Sequence, residues 1–102
     1  IYTMGITPDW AARRPGDDTP WGGSASPPNS MDDWRDYVRT VGNRYKGRIK
    51  YWEIWNEADI PQHYSGSVSE MVEMTRIARE ELKAIDAGNV ILSPNITIIG
   101  LA

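Results

Sequence analysis

Apolar and polar positions alternate along this chain in blocks, and each block predicts an element. Ile1-Tyr2-Thr3-Met4-Gly5-Ile6 is a short apolar run and reads as a first strand. From Thr7 to Asn29 the pattern dissolves into Pro, Gly, Asp, Ser and Arg. Pro8, Pro15, Pro20, Pro27 and Pro28 rule out a regular helix there. A loop of that length inside a compact domain is either functional or disordered, yet it carries Trp10 and Trp21, which disorder does not predict. Ser30 can then cap a helix whose first turn holds Asp32 and Asp33. Met31, Trp34, Tyr37, Val38, Val41 and Tyr45 recur at helical spacing, and Gly47 fits just past the end.

The next block, Ile49 to Trp55, is apolar at nearly every position and predicts a strand covered on both faces. Ala58 to Gly66 is a second loop, with Asp59, Pro61, Gln62, His63 and Tyr64. Ser67 and Glu70 match a capping box. Met71, Thr75, Ala78, Leu82 and Ile85 form the apolar face of the helix that follows, with Arg76, Arg79, Glu80, Glu81 and Lys83 mostly outward and Gly88 at its end. Val90-Ile91-Leu92-Ser93 is a third strand. Pro94 and an apolar run to Ala102, whose form the pattern leaves open, complete the chain.

The order is strand, helix, strand, helix, strand, which implies a parallel sheet with right-handed crossovers. Both a doubly wound sheet and part of a TIM barrel satisfy it. No Gly-rich phosphate loop follows any strand, so the dinucleotide and P-loop readings lose their main support. Every candidate functional residue follows a strand: Trp10 the first, Asn56 and Glu57 the second, Ser93 to Asn95 the third. Both architectures place their sites on that face.

Charge and composition narrow the classes. The chain has 102 residues and a formal net charge of -3, with 11 basic and 14 acidic side chains and no long run of one sign. A nucleic-acid or anionic-membrane surface is not expected. Cysteine is absent and His63 is the only histidine, so neither a thiolate nor a His-rich metal site can be built, and no cofactor is implied. No basic-then-apolar leader or membrane-spanning run is present. There are 5 Trp and 5 Tyr but no Phe, so every aromatic has a polar handle, as suits a wet, sugar-stacking site as well as a core. Both ends are apolar where natural termini are polar, which reads as a segment, residues 1–102, of a longer domain.

The chemistry concentrates at Tyr51-Trp52-Glu53-Ile54-Trp55-Asn56-Glu57, a strand ending on an amide and a carboxylate. Packing alone does not favour that ending, because carboxylates are rarely buried without a partner. This stretch closely resembles the retaining glycoside hydrolases built on a TIM barrel, in which strand four ends in Asn-Glu. The resemblance continues through Thr7-Pro8-Asp9-Trp10-Ala11, Trp34-Arg35-Asp36-Tyr37-Val38, Arg44 to Ile49, Lys83-Ala84-Ile85-Asp86 and Val90 to Pro94. It is nearest to family 39 β-xylosidase-like members, then to family 5 cellulase-like ones. It implies a partial barrel comprising strands three to five. It also implies Glu57 as general acid/base, Asn56 as the contact to the sugar 2-hydroxyl, and a nucleophilic Glu on a later strand outside this chain. The family usually has Pro after the Glu, where this chain has Ala58.

The implied substrate is a glycoside or an oligo- or polysaccharide, in a protein that is secreted if its full length carries a leader, and that needs the remaining barrel strands. Trp10, His63 and Tyr64 are candidate substrate contacts, set against ordinary core and loop roles. Glu53 alternates onto the side of Trp55 and Glu57 and is expected to be a buried carboxylate paired with a basic residue. Same-strand carboxylates four residues apart lie about 13 Å apart, too far for retention. Asp9, Asp17, Asp18 and Asp59 read as solvated loop charges, and Asn95-Ile96-Thr97 matches a glycosylation sequon. The competing readings are a non-catalytic carbohydrate-binding segment and a doubly wound binding domain.

Overall fold

A computed structural model describes residues 1–97. The elements run in the expected order: β1 (Tyr2–Met4), a single 3-10 turn (Asp9–Ala11), α1 (Met31–Arg44), β2 (Tyr51–Ile54), α2 (Val68–Ile85) and β3 (Val90–Leu92). The three strands form one sheet in the order β1-β2-β3, and both pairings are parallel. Tyr2 lies opposite Trp52 and Trp52 opposite Ile91. The last part of the C-terminal apolar run, residues 98–102, lies outside the described residues.

Period-two alternation decides which face of the sheet is covered. Trp52 and Ile54 point to one side with Met4, and all three are fully buried in a core shared with Trp34, Val38, Met74, Ile77 and Leu82. Thr3, Tyr51 and Glu53 point the other way. Among the described residues this second face is not covered: Tyr51 is exposed and Glu53 half-buried. Among the described residues, therefore, β2 is not enclosed on both sides. Glu53 accepts a hydrogen bond from the Thr3 hydroxyl at 2.9 Å, in place of the basic partner expected from sequence.

The helices begin where their caps dictate. Ser30 accepts from the Asp32 N–H at 3.2 Å, and Ser67 and Glu70 close a reciprocal capping box with both bonds at 3.0 Å. α2 buries Met74 and Ile77 as well as Met71, Ala78 and Leu82, so its apolar stripe is wider than the expected one. Thr75 is half-buried and returns its hydroxyl to the Met71 carbonyl at 2.8 Å. The helix ends at Ile85, three residues before Gly88, because Asp86 leaves helical geometry and its carboxylate accepts the Gly88 N–H. Gly42 lets α1 approach α2, since a Cβ there would meet Ile85 Cδ1 at 2.8 Å and Leu82 Cδ2 at 2.9 Å. Across the same seam Arg35 reaches Glu81 at 2.6 Å and Glu80 at 3.3 Å, and Arg39 reaches Glu81 at 3.0 Å.

The long loop after β1 is ordered without a helix or extended strand beyond its one turn. Thr7 and Ser24 exchange backbone bonds at 3.0 and 2.7 Å. Ser24, Ser26 and Thr7 are buried and each donates its hydroxyl to a carbonyl, of Arg14, Pro27 and Ser26 respectively. Small hydroxyls thus tie together a segment whose prolines prevent regular structure. Asp17 belongs to this network, not to solvent. It accepts from Ser65 Oγ at 2.7 Å and Arg14 Nε at 2.8 Å, and these bonds hold its carboxyl below the usual range.

Candidate functional site

The C-terminal ends of the three parallel strands converge on one edge of the sheet, and β2 supplies the central tip. Trp55 still bonds back to the sheet, its N–H meeting the Met4 carbonyl at 2.6 Å. Its φ of 68°, however, takes it out of extended geometry, and Glu57 follows with φ 50°. Left-handed backbone at two bulky residues so close together is unfavourable and persists only where the surroundings enforce it. It also ends the alternation that would have kept Glu53, Trp55 and Glu57 on one side.

The surroundings here are specific. Trp55 is buried, donates its indole N–H to the His63 carbonyl at 2.7 Å and meets the Tyr64 ring edge-on at 5.5 Å between centroids. This anchors the loop of residues 58–66 over the strand tip. The same anchor brings the His63 ring to Glu57, with Nδ1 at 2.6 Å from Oε2. The Glu57 side chain is 36% exposed and that of His63 19%, so the pair is partly open to solvent and not in a sealed core. Asn56 is exposed.

β3 completes the edge. The Glu57 N–H donates to Asn95 Oδ1 at 2.5 Å, Asn95 Nδ2 donates to Asn56 Oδ1 at 2.9 Å, and the Ala58 N–H donates to the Asn95 carbonyl at 3.0 Å. Asp59 accepts from both the N–H and the hydroxyl of Thr97, at 2.8 and 2.6 Å, and so has a structural role that a solvated charge lacks.

A hollow opens beside this tip, lined by Thr3, Ile6, Trp21, Trp55, Asn56 and His63. Trp21 stands 74% exposed at its margin. A second hollow lies across Ile6 and Trp55, lined by Pro8, Trp10, Trp34 and Tyr37. Trp10 is 82% exposed there, and it does not line the hollow that holds Asn56 and His63. Tyr64 lines neither. It is buried behind Trp55, its hydroxyl donates to the Ser67 carbonyl at 2.6 Å, and burial, with the nearby Glu70 charge, pushes its phenol up to about 12. Its place is that of a support, because the Trp55 ring stands on it.

The structure therefore brings Asn56, Glu57 and His63 together, sets Trp10 in the adjoining hollow and puts Tyr64 beneath. The sequence pattern gives Trp21 no functional place, and it puts Asn95 on the functional edge without a role. Trp21 had only its aromatic character inside a polar loop to mark it. Asn95 had a better signal, a polar residue two positions beyond a predicted strand, on the same edge as Asn56. Among the described residues no group of three or more His, Asp or Glu side chains could hold a metal, and no helix is long and apolar enough to cross a membrane.

No family model and no curated protein matches the chain. Solved structures do. A monomeric β-xylosidase from Caulobacter crescentus CB15 aligns over 88% of this chain and 20% of its own, with a TM-score of 0.76 and 20% identity. A family 39 glycoside hydrolase (GH39) β-xylosidase from Caulobacter crescentus aligns over 88% of this chain and 22% of its own, with a TM-score of 0.77 and 20% identity. The chain spans about a fifth of the length of these enzymes. Its α/β fold, with three parallel strands and two helices, is the fold of part of a TIM-barrel glycosidase of the GH39 β-xylosidase kind.

Proposed function

We propose that residues 1–102 are the central segment of the catalytic barrel of a retaining glycosidase, comprising its strands three to five, and that Glu57 is the general acid/base. The observation that carries this reading is the β2 tip: on the open edge of a parallel sheet, Asn56 and His63 line a hollow with an exposed tryptophan, and Glu57 follows Asn56 and pairs with His63. Retention uses two carboxyl groups about 5 to 5.5 Å apart on either side of the glycosidic bond. In the first step Glu57 gives its proton to the departing glycosidic oxygen while a second carboxylate attacks the anomeric carbon. In the second step the Glu57 carboxylate takes a proton from the water that displaces that carboxylate. The second carboxylate belongs to a strand beyond this segment. Asn56 contacts a sugar hydroxyl, and the faces of Trp21 and Trp10 suit the C–H faces of pyranose rings. A β-xyloside is the first substrate to try, because the structural neighbours are β-xylosidases.

The test uses the complete protein that carries this chain. Glu57→Ala is expected to abolish turnover of an alkyl β-xyloside, and azide, which needs no general base, is expected to restore turnover of an activated aryl one as the glycosyl azide. Full activity of Glu57→Ala on the alkyl substrate would sink the reading. The second reading, a non-catalytic carbohydrate-binding segment, is favoured by the exposure of Trp10 and Trp21. It predicts saccharide binding by the complete protein, weakened by Trp21→Ala, with no turnover.

A further inference from the structure

On the basis of that reading, we infer that Asn95, at the exit of β3, is the positioning residue that fixes both the backbone of Glu57 and the amide orientation of Asn56. The argument begins with a group of known polarity. The Glu57 peptide N–H can only donate, so the atom of Asn95 that faces it at 2.5 Å is the carbonyl oxygen, Oδ1. Nδ2 of the same amide must then face the other way, and it donates to Asn56 Oδ1 at 2.9 Å. That leaves Asn56 with its own Nδ2 free to turn toward the hollow. Polarity thus passes from a backbone N–H through one side-chain amide to a second. Asn56 meets the substrate as a hydrogen-bond donor, and the sugar hydroxyl accepts.

The same residue stabilises the strained tip. Glu57 has φ 50°, and Asn95 grips the peptides on both sides of it, through Oδ1 to the Glu57 N–H and through its own carbonyl to the Ala58 N–H at 3.0 Å. Two positions on, Thr97 binds Asp59 through both N–H and hydroxyl. Four consecutive residues after β2 are thereby stitched to the exit of β3. These bonds also give the Asn95-Ile96-Thr97 sequon a structural meaning, since the side chains a glycosylation signal would use are committed inside the fold.

The experiment compares Asn95→Ala and Asn95→Asp in the complete protein, on an alkyl and a dinitrophenyl β-xyloside. The activated phenolate leaves without a proton, so it reports on sugar binding, while the alkyl substrate reports on the acid as well. Asn95→Ala is expected to lower kcat/KM on the alkyl substrate by about 10- to 100-fold beyond its loss on the aryl one, the scale on which a supporting hydrogen bond tunes a site. Asn95→Asp keeps an acceptor for the Glu57 N–H but loses the donor, so Asn56 turns over and both substrates lose by the same factor. Where Glu57→Ala itself shows the acid/base pattern, equal losses for Asn95→Ala on both substrates, or none, would overturn the inference. Amide exchange separates its failure from that of the acid/base reading. A Glu57 amide protected in wild type and Asn95→Asp and unprotected in Asn95→Ala upholds the clamp whatever Glu57 does, and unchanged protection refutes it.

Discussion

The ring of His63 meets the carboxylate of Glu57 at 2.6 Å, Nδ1 to Oε2, and its backbone carbonyl holds the Trp55 indole at 2.7 Å. One loop residue therefore grips both the proposed proton donor and the aromatic beneath it. Misplacing a reacting group by about 1 Å costs on the order of 100-fold. In the complete protein, His63→Ala is expected to lower kcat on an alkyl β-xyloside by about 10- to 100-fold with a smaller change in KM. His63→Gln, which keeps a donor, should lose less. Equal kcat for wild type and His63→Ala would show that the contact has no part in catalysis.

The chain of residues 1–102 alone is expected to show no turnover of an aryl β-glycoside. Retention needs a second carboxylate about 5 to 5.5 Å from Glu57. Glu53, the acid on β2, is bound to Thr3 on the far side of a left-handed turn. Turnover by the isolated chain that Glu57→Gln abolishes would overturn the two-carboxylate account.

Inside the sheet, Trp52 donates its indole N–H to Asn89 Oδ1 at 3.1 Å, and Asn89 passes a bond to the Leu82 carbonyl at 2.9 Å. Trp52→Phe leaves the buried Asn89 oxygen without its donor. It should cost about 1–3 kcal/mol, read as a lower denaturant midpoint at unchanged slope. Trp21→Phe, at an exposed position, should stay within about 0.5 kcal/mol of wild type. Similar losses for the two variants would contradict the burial assigned to them.

These two tryptophans also show what the sequence could and could not reveal. The strand holding Trp52 and the helices on either side were legible because periodicity and caps are local, and Ser30, Ser67 and Glu70 sit where their spacing implied. Asn56 and Glu57 were legible as a tip because nothing local rewards a carboxylate there. The partner of Glu53 was not, because it lies on β1, fifty residues away in sequence. Nor could alternation be carried past Ile54, since the left-handed φ of Trp55 is imposed by its contacts with His63 and Tyr64. Tyr64 and Trp10 were both plausible sugar contacts as aromatics in loops. Only packing distinguishes the buried one from the exposed one.

The capping box at Ser67 is a local test of α2. Its hydroxyl accepts the Glu70 N–H while Glu70 accepts the Ser67 N–H. Glu70 also meets Arg13 at 2.6 Å. Burial opposes its charge, but the two Ser67 bonds and Arg13 outweigh it, so its carboxyl stays below the usual range. Ser67→Ala should cost about 1 kcal/mol and Ser67→Asp much less. Equal destabilisation by both would argue that packing, not capping, sets the start of the helix.

Glu81 makes stability depend on pH. Hydrogen bonds first from Arg39 and then from Arg35 lower its carboxyl from the ordinary value of 4.5, against a smaller opposing effect of burial. A carboxyl whose folded value is depressed contributes stability above its unfolded value, and loses it as pH falls through the folded one. The seam between α1 and α2 should therefore weaken on acidification below about 4.5. Glu81→Gln removes that contribution while keeping the side chain's size. The gap in denaturant midpoint between wild type and Glu81→Gln should be widest near neutral pH and shrink toward zero near pH 2, and high salt should narrow it at neutral pH. A gap that is the same at both ends of that range would mean that Glu81 stabilises the seam by packing and not by charge.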